Sequence, residues 1–200
     1  MTKRYIWLLF VFAVAACAGS TTPTNFYTLD YASDSSARGL TKLEIAAGTS
    51  IGVGPIDLPG LLDRPQIVTR GTGHNVEIAE YERWADGLEA DLLRAMVRQL
   101  RQQLPTASLS QYPWPHFRKL DYQVRVVVLE LEGVLGGDTV FSGNWSIANG
   151  EGEAELQSTA FSFRDKADGP THQDLVVSYR RLATSLTNQI AIALEQQAGK

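Results

Sequence analysis

The residues of this chain that could do chemistry are few, and their spacing limits what they can do. Gly48-Thr49-Ser50-Ile51-Gly52 matches the string G-x-S-x-G of a nucleophile elbow, which needs a strand before the serine and a helix after it. Here a soft stretch rich in Ser, Ala and Gly precedes Ser50 and a strand-like run follows, so the order is reversed. His74, His116 and His172 stand about fifty residues apart and form no set at ligand spacing, which argues against a metal site or a histidine base. Gly71-Thr72-Gly73 lacks the third glycine and the following helix of a dinucleotide fingerprint, and reads as a hairpin turn. Asn144-Trp145-Ser146 has the form of a glycosylation sequon but falls inside an expected strand. Acid, base and nucleophile never come together, so the sequence predicts no catalytic residue, no metal and no cofactor.

One residue remains, and its chemistry is acylation. Cys17 is the only cysteine. Upstream lie Lys3 and Arg4, then the unbroken apolar run Tyr5 to Ala16, with small residues at its end. A charged start, a short apolar stretch and a small-residue cut site make up a secretory signal peptide. As a helix the run reaches roughly 18 Å at ~1.5 Å per residue, short of the ~30 Å hydrocarbon core. Val14-Ala15-Ala16-Cys17 resembles the bacterial lipobox, which implies cleavage between Ala16 and Cys17, a diacylglycerol on the thiol and an acyl chain such as palmitate on the new amine. Two or more chains hold a protein on a membrane essentially for good. Ala18, rather than an aspartate, follows the cysteine, and by resemblance to enterobacterial lipoproteins this favours the outer membrane. The expected division is signal peptide 1–16, lipidated tether 17–24 and one domain over 25–200.

Composition narrows the partners. The chain has 18 Lys+Arg against 22 Asp+Glu, and loss of Lys3 and Arg4 with the leader makes the remainder more acidic still. No basic block occurs, which excludes nucleic acid as an expected partner. A lone cysteine leaves no intramolecular disulfide, so the core must hold by burial. At 44% apolar residues the composition is that of an ordinary globular domain.

The elements follow from periodicity. Phe26 to Tyr31 reads as a first strand, and Leu40, Leu43 and Ile45 hint at a short strand or arm. Ser50 to Leu58 is a strand whose Gly52 and Gly54 predict close approach of another group. Gln66–Arg70 and Asn75–Ala79 form a hairpin. Asp86 and Glu89 have capping-box character before a helix with Leu88, Leu92, Met96 and Leu100 at i+4 spacing, ended by Pro105. From Tyr122 the apolar phase alternates and then flips near Val127-Val128, which predicts a bulge. Thr139–Ile147 and Glu153–Arg164 continue a meander. Leu175, Tyr179, Leu182, Leu186, Ile190 and Leu194 mark a long amphipathic helix. The order predicts an α+β fold, a largely antiparallel sheet with two amphipathic helices packed on one face.

Two loops carry more apolar material than loops need. Leu58 to Pro65 holds Leu58, Leu61 and Leu62 beside Arg64, and Tyr112 to Phe117 holds Tyr112, Trp114 and Phe117. Either they fold back on the core or they form a contact surface for another protein.

These same residues carry a resemblance. Phe26-Tyr27-Thr28-Leu29, the run Ile51 to Arg70 with Leu58-Pro59-Gly60-Leu61-Leu62-Asp63-Arg64-Pro65 at its centre, Glu80 to Ala85, Tyr112-Pro113-Trp114-Pro115 and Asp121-Tyr122-Gln123-Val124 resemble the PqiC family of ABC-type transport auxiliary lipoproteins. Leu61 stands where members of that family vary. The resemblance implies a non-enzymatic lipoprotein facing the periplasm. It would work with an MCE-domain protein and an associated permease or ATPase in phospholipid traffic between membranes, and support envelope integrity. Neighbouring copies of the chain are the other expected partner for the Leu58–Pro65 loop. The competing expectation is a stand-alone lipid carrier with its own pocket.

Overall fold

The computed structural model describes residues 22–29 and 41–199. Their elements run β1 (Asn25–Tyr27), β2 (Ser50–Asp57), β3 (Gln66–Arg70), β4 (Val76–Trp84), α1 (Leu88–Gln103), β5 (Ser108–Gln111), β6 (Tyr122–Gly133), β7 (Asp138–Asn149), β8 (Glu155–Lys166) and α2 (His172–Ala198). The class is α+β, as the periodicity requires.

The strands divide into two mixed sheets, of order β5-β2-β6-β7-β8 and β1-β4-β3. β6, β7 and β8 form an antiparallel meander, while β2 pairs in parallel with both β5 and β6. In the small sheet β1 lies parallel to β4 and β3 antiparallel to it. Alternation states only which residues share a face, so neither the split into two sheets nor the parallel pairs is visible in it. β5 goes undetected by sequence for a related reason. It is four mostly polar residues laid parallel to β2, with Ser108 N–H donating to the O of Thr49, just before β2, at 2.8 Å.

Both helices cover one face of the larger sheet, α1 over β2 and β5, α2 over β7 and β8, and they touch each other. The core lies between. Ile51, Val53, Val124, Val126, Phe141, Trp145 and Ile147 point into it from the strands, against Leu92, Met96 and Leu100 of α1 and Leu182, Leu186 and Ile190 of α2. At ~1.5–3 kcal/mol per fully buried large apolar side chain, this layer supplies most of the driving force. Polar groups join the helices above it: Gln99 Nε2 donates to Thr184 O and Asn188 Oδ1, and Gln103 Nε2 donates to the same Asn188 oxygen.

Helix starts were the least legible feature. The residue that caps α1 is Gly87, at φ 75°, with no side-chain cap; Asp86 instead accepts a hydrogen bond from Arg94 Nη1. Glycine suits that left-handed backbone. The true capping box belongs to α2, where Thr171 and Asp174 bond each other's backbones. The expected bulge is present in β6 where register shifts between Val128 and Glu130, and it turns Leu129 outward to 63% exposure.

Candidate functional site

The Leu58–Pro65 loop leaves the end of β2 and is fastened at short range. Pro59 O accepts from Leu62 N–H at 2.8 Å and from Asp63 N–H at 3.2 Å, and Trp84 N–H of β4 donates to Pro65 O at 2.7 Å. This winding separates its leucines. Leu62 sinks into the core and Leu58 packs against it, whereas Leu61 stays 38% exposed. Arg64 is partly buried, and its Nε is out of solvent with no hydrogen-bond partner. Buried donors in this state are uncommon and call for a specific explanation.

Beneath the loop runs a shallow cleft of about 60 Å³, lined by Pro59, Leu61, Leu62, Val76 and Leu129 among others. An ion pair between Arg70 of β3 and Glu132 of β6 spans it and ties the two sheets. Leu61, Val76, Leu129 and Val127 are all exposed. Sequence reasoning found the leucines of the loop but not Val76 or Leu129. Leu129 is turned out by the bulge, and Val76 is brought near by the pairing of β3 with β4.

The second aromatic stretch behaves differently. Tyr112 N–H donates to Val53 O, and the chain then runs back across the outer face of β2 to Asp121, which bonds Ser50. Trp114 and Leu120 lie over Gly52 so closely that a Cβ there would sit 2.7 Å from Leu120 and 2.9 Å from the Trp114 ring; Tyr112 approaches Gly54, at φ 109°, in the same way. The two glycines are therefore the reason this strap can lie down. Tyr112 meets Trp114 edge to face at 5.4 Å. Half of Tyr112 and nearly all of Phe117, at 86%, still face solvent.

A second cleft, of about 210 Å³, lies between β1 and the start of α2 and is lined by Phe26, Tyr27, Thr28, Gln173, Val176, Val177 and Arg180. Beside it Tyr27 Oη and Asn25 Nδ2 both donate to Glu82. Burial, then the Glu82 carboxylate, pushes the Tyr27 hydroxyl up to about 12. The same donation from Tyr27 holds Glu82 below the usual carboxylate range.

Two carboxylates underpin the frame. Asp91 is fully buried and accepts from Thr28 Oγ1, Leu29 N–H and Arg94 Nη2, at 2.8, 2.8 and 2.7 Å. Asp165 accepts from Arg181 Nε and Ser178 Oγ. Burial opposes its ionisation, but these donors outweigh that and keep it below its ordinary range.

The elbow string forms no elbow, because Ser50 opens a strand with coil before it. His74 and His116 lie in separate loops and His172 opens α2. Among the described residues no three His, Cys, Asp or Glu side chains gather as a metal set, and no helix is long and apolar enough to cross a membrane. The signal peptide and Cys17 with its cleavage partner Ala16 lie outside the described residues.

Comparison with known proteins places this geometry. The fold matches the crystal structure of an uncharacterized protein at TM-score 0.62, with 18% identity over 88% of this chain and 99% of the other. It also matches protein XCC0632 from Xanthomonas campestris, of family DUF330, at TM-score 0.66, with 14% identity over 80% of this chain and 95% of that one. No curated protein is similar in sequence. The model of the ABC-type transport auxiliary lipoprotein component covers residues 27–191, from β1 into α2, and the chain belongs to that family.

Proposed function

We propose that this chain is a non-enzymatic subunit of an MCE-type intermembrane phospholipid transport system, held by lipid on Cys17 at the periplasmic face of the outer membrane. Its work is to dock, supporting envelope integrity, rather than to transform a substrate. The observation that carries this reading is the division of the Leu58–Pro65 loop: Leu58 and Leu62 build the core, while Leu61 joins Val76 and Leu129 on an exposed apolar surface around a cleft. Exposed apolar residues gathered in this way mark protein contacts. The partner contact extends to Arg64 and, along the sheet, to Tyr112 and the exposed Phe117; Trp114 serves as their support.

Neither of these two clefts among the described residues is the enclosing pocket that a stand-alone carrier would need. At about 60 and 210 Å³ neither reaches the ~300–1,000 Å³ of sites that enclose a drug-sized ligand. The test is co-purification with the MCE-domain partner. Leu61→Asp with Arg64→Glu should abolish it while leaving the domain folded, because Leu61 is already outside the core. Unchanged recovery from a folded double variant would overturn the docking surface. Cys17→Ser should release the protein from the membrane fraction; retention there would overturn the anchor.

A further inference from the structure

β1 and the start of α2 face each other across open space. Gln173, Val176, Val177 and Arg180 stand at i, i+3, i+4 and i+7 and so share one side of the helix. Phe26, Tyr27 and Thr28 line the opposite wall, and the cleft between them measures about 210 Å³. Its lining is of two kinds. Phe26, Val176 and Val177 are apolar, and Phe26 is 66% exposed. Arg180 is the one charged residue among the lining side chains.

The polar groups of the cleft divide by whether the fold already uses them. Tyr27 Oη donates to Glu82, and Thr28 Oγ1 donates to Asp91. The side chains of Gln173 and Arg180 have no hydrogen-bond or ion-pair partner among the described residues. The next residue gives the contrast, since the Arg181 guanidinium is held by Asp165, Asp168 and Lys166 O. Nearby acids are engaged as well: Glu82 accepts from Tyr27 and Asn25, and Asp174 from Thr171. A guanidinium without a counter-charge, set in a concavity with apolar walls, attracts an anion more strongly than one in open water. Its planar fork takes phosphate oxygens two at a time, and the Gln173 amide offers a further donor.

We propose that this cleft binds the anionic head of a phosphate-bearing amphiphile. The phosphate sits on Arg180 and Gln173, and the glycerol with the base of its chains lies against Phe26, Val176 and Val177. The volume is below the ~300–1,000 Å³ of sites that enclose a whole drug-sized ligand, so the chains themselves stay outside, in the bilayer. Its place in the chain agrees with this. β1 is the first strand of the domain, and Phe26 is nine residues on from Cys17, at most roughly 30 Å of extended chain. That nearness to a membrane rests on the reading of Cys17 as the lipid anchor; the binding itself does not. It uses neither the Leu58–Pro65 loop nor any transport partner, so the loss of either proposal leaves the other standing.

The experiment is native mass spectrometry of the full chain in neutral detergent. Dihexanoyl phosphatidylglycerol, dihexanoyl phosphatidylcholine and inorganic phosphate are offered in separate titrations. The wild type should retain one phosphatidylglycerol per chain at concentrations where the zwitterionic lipid and free phosphate leave none. Arg180→Ala should weaken that binding at least about tenfold, as the loss of a charged hydrogen bond does, and Arg180→Lys should restore part of it. Phe26→Ser should weaken it less. Both positions lie outside the core, and circular dichroism checks that each variant is folded. Arg125→Ala, at an exposed arginine of β6, should change nothing. The proposal is overturned if phosphatidylglycerol never saturates, or if a folded Arg180→Ala retains it as well as the wild type. Equal retention of phosphatidylcholine or of inorganic phosphate overturns the anionic amphiphile, and an equal loss in Arg125→Ala reduces the site to general surface charge.

Discussion

The two faces of the five-stranded sheet solve opposite problems with the same strands. Toward the helices β7 and β8 present Phe141, Trp145, Ile147 and Phe161, all buried. On the reverse they present Ser142, Asn144, Ser146, Ser158, Ala160 and Ser162, small side chains that leave the strands open to solvent. β2 reverses this economy. Its outer face carries glycines, and the Tyr112–Asp121 strap fills the space with Trp114 and Leu120. Small residues on a sheet therefore mean two things here, room for a strap at β2 and a flat, wettable surface at β7 and β8.

Substitutions ranked by expected size can break this contrast. Trp145→Ala removes a buried ring and the hydrogen bond from Nε1 to Gln189, and should cost about 3–5 kcal/mol in chemical denaturation. Asp91→Ala leaves Arg94 and the Leu29 amide without their shared acceptor; breaking a buried pair costs about 3–5 kcal/mol, and the part exposure of Arg94 puts this case at the lower end. Gly52→Val tests the strap: a side chain must displace Trp114 or Leu120, at about 1–3 kcal/mol, read together as a rise in Trp fluorescence exposure. A loss below 0.5 kcal/mol there would show that the strap lies loosely. Ser162→Ala on the open face should stay within about 0.5 kcal/mol.

Acid distinguishes the frame from both faces. Asp165, Glu82 and Asp174 are each held below the ordinary carboxylate range in the fold, by Arg181 and Ser178, by Tyr27, and by Thr171 respectively. A depressed pKa contributes stability that is present above the unfolded value of about 4 and is lost as pH falls through the folded one. The melting temperature should hold steady at neutral pH and drop below about pH 4. In Arg181→Ala that drop should be shallower, since Asp165 then titrates closer to its unfolded value.

Much of this was legible in order along the chain. The leucine and isoleucine spacing of α1 and α2, the phase flip that becomes the Leu129 bulge and the two crowded glycines of β2 are local patterns, and local patterns survive folding. The pairings were not legible. β1 joins β4, and β5 joins β2, across long separations that no spacing encodes. Asp91 looked like a polar residue on a helix, yet it sits three positions after Leu88 within the apolar stripe, and that placement was the available signal of burial. The α2 cap was hidden because its box uses Asp174 where Glu or Gln is expected. At the candidate site, Leu61 and Arg64 could be named from sequence; Val76 and the cleft it shares with Leu61 could not.

Asp91 has one more consequence, and it is mechanical. A pull applied at residue 22 travels three residues to β1, whose strand lies parallel to β4 over Asn25–Tyr27, and is stopped at Thr28 and Leu29 by a single buried carboxylate on α1. Force along that line loads the strand bonds in shear, all together, and then passes into a helix seated in the core. Load entering at the first described residues is therefore shared by the sheet and the helix, and does not peel the end away bond by bond.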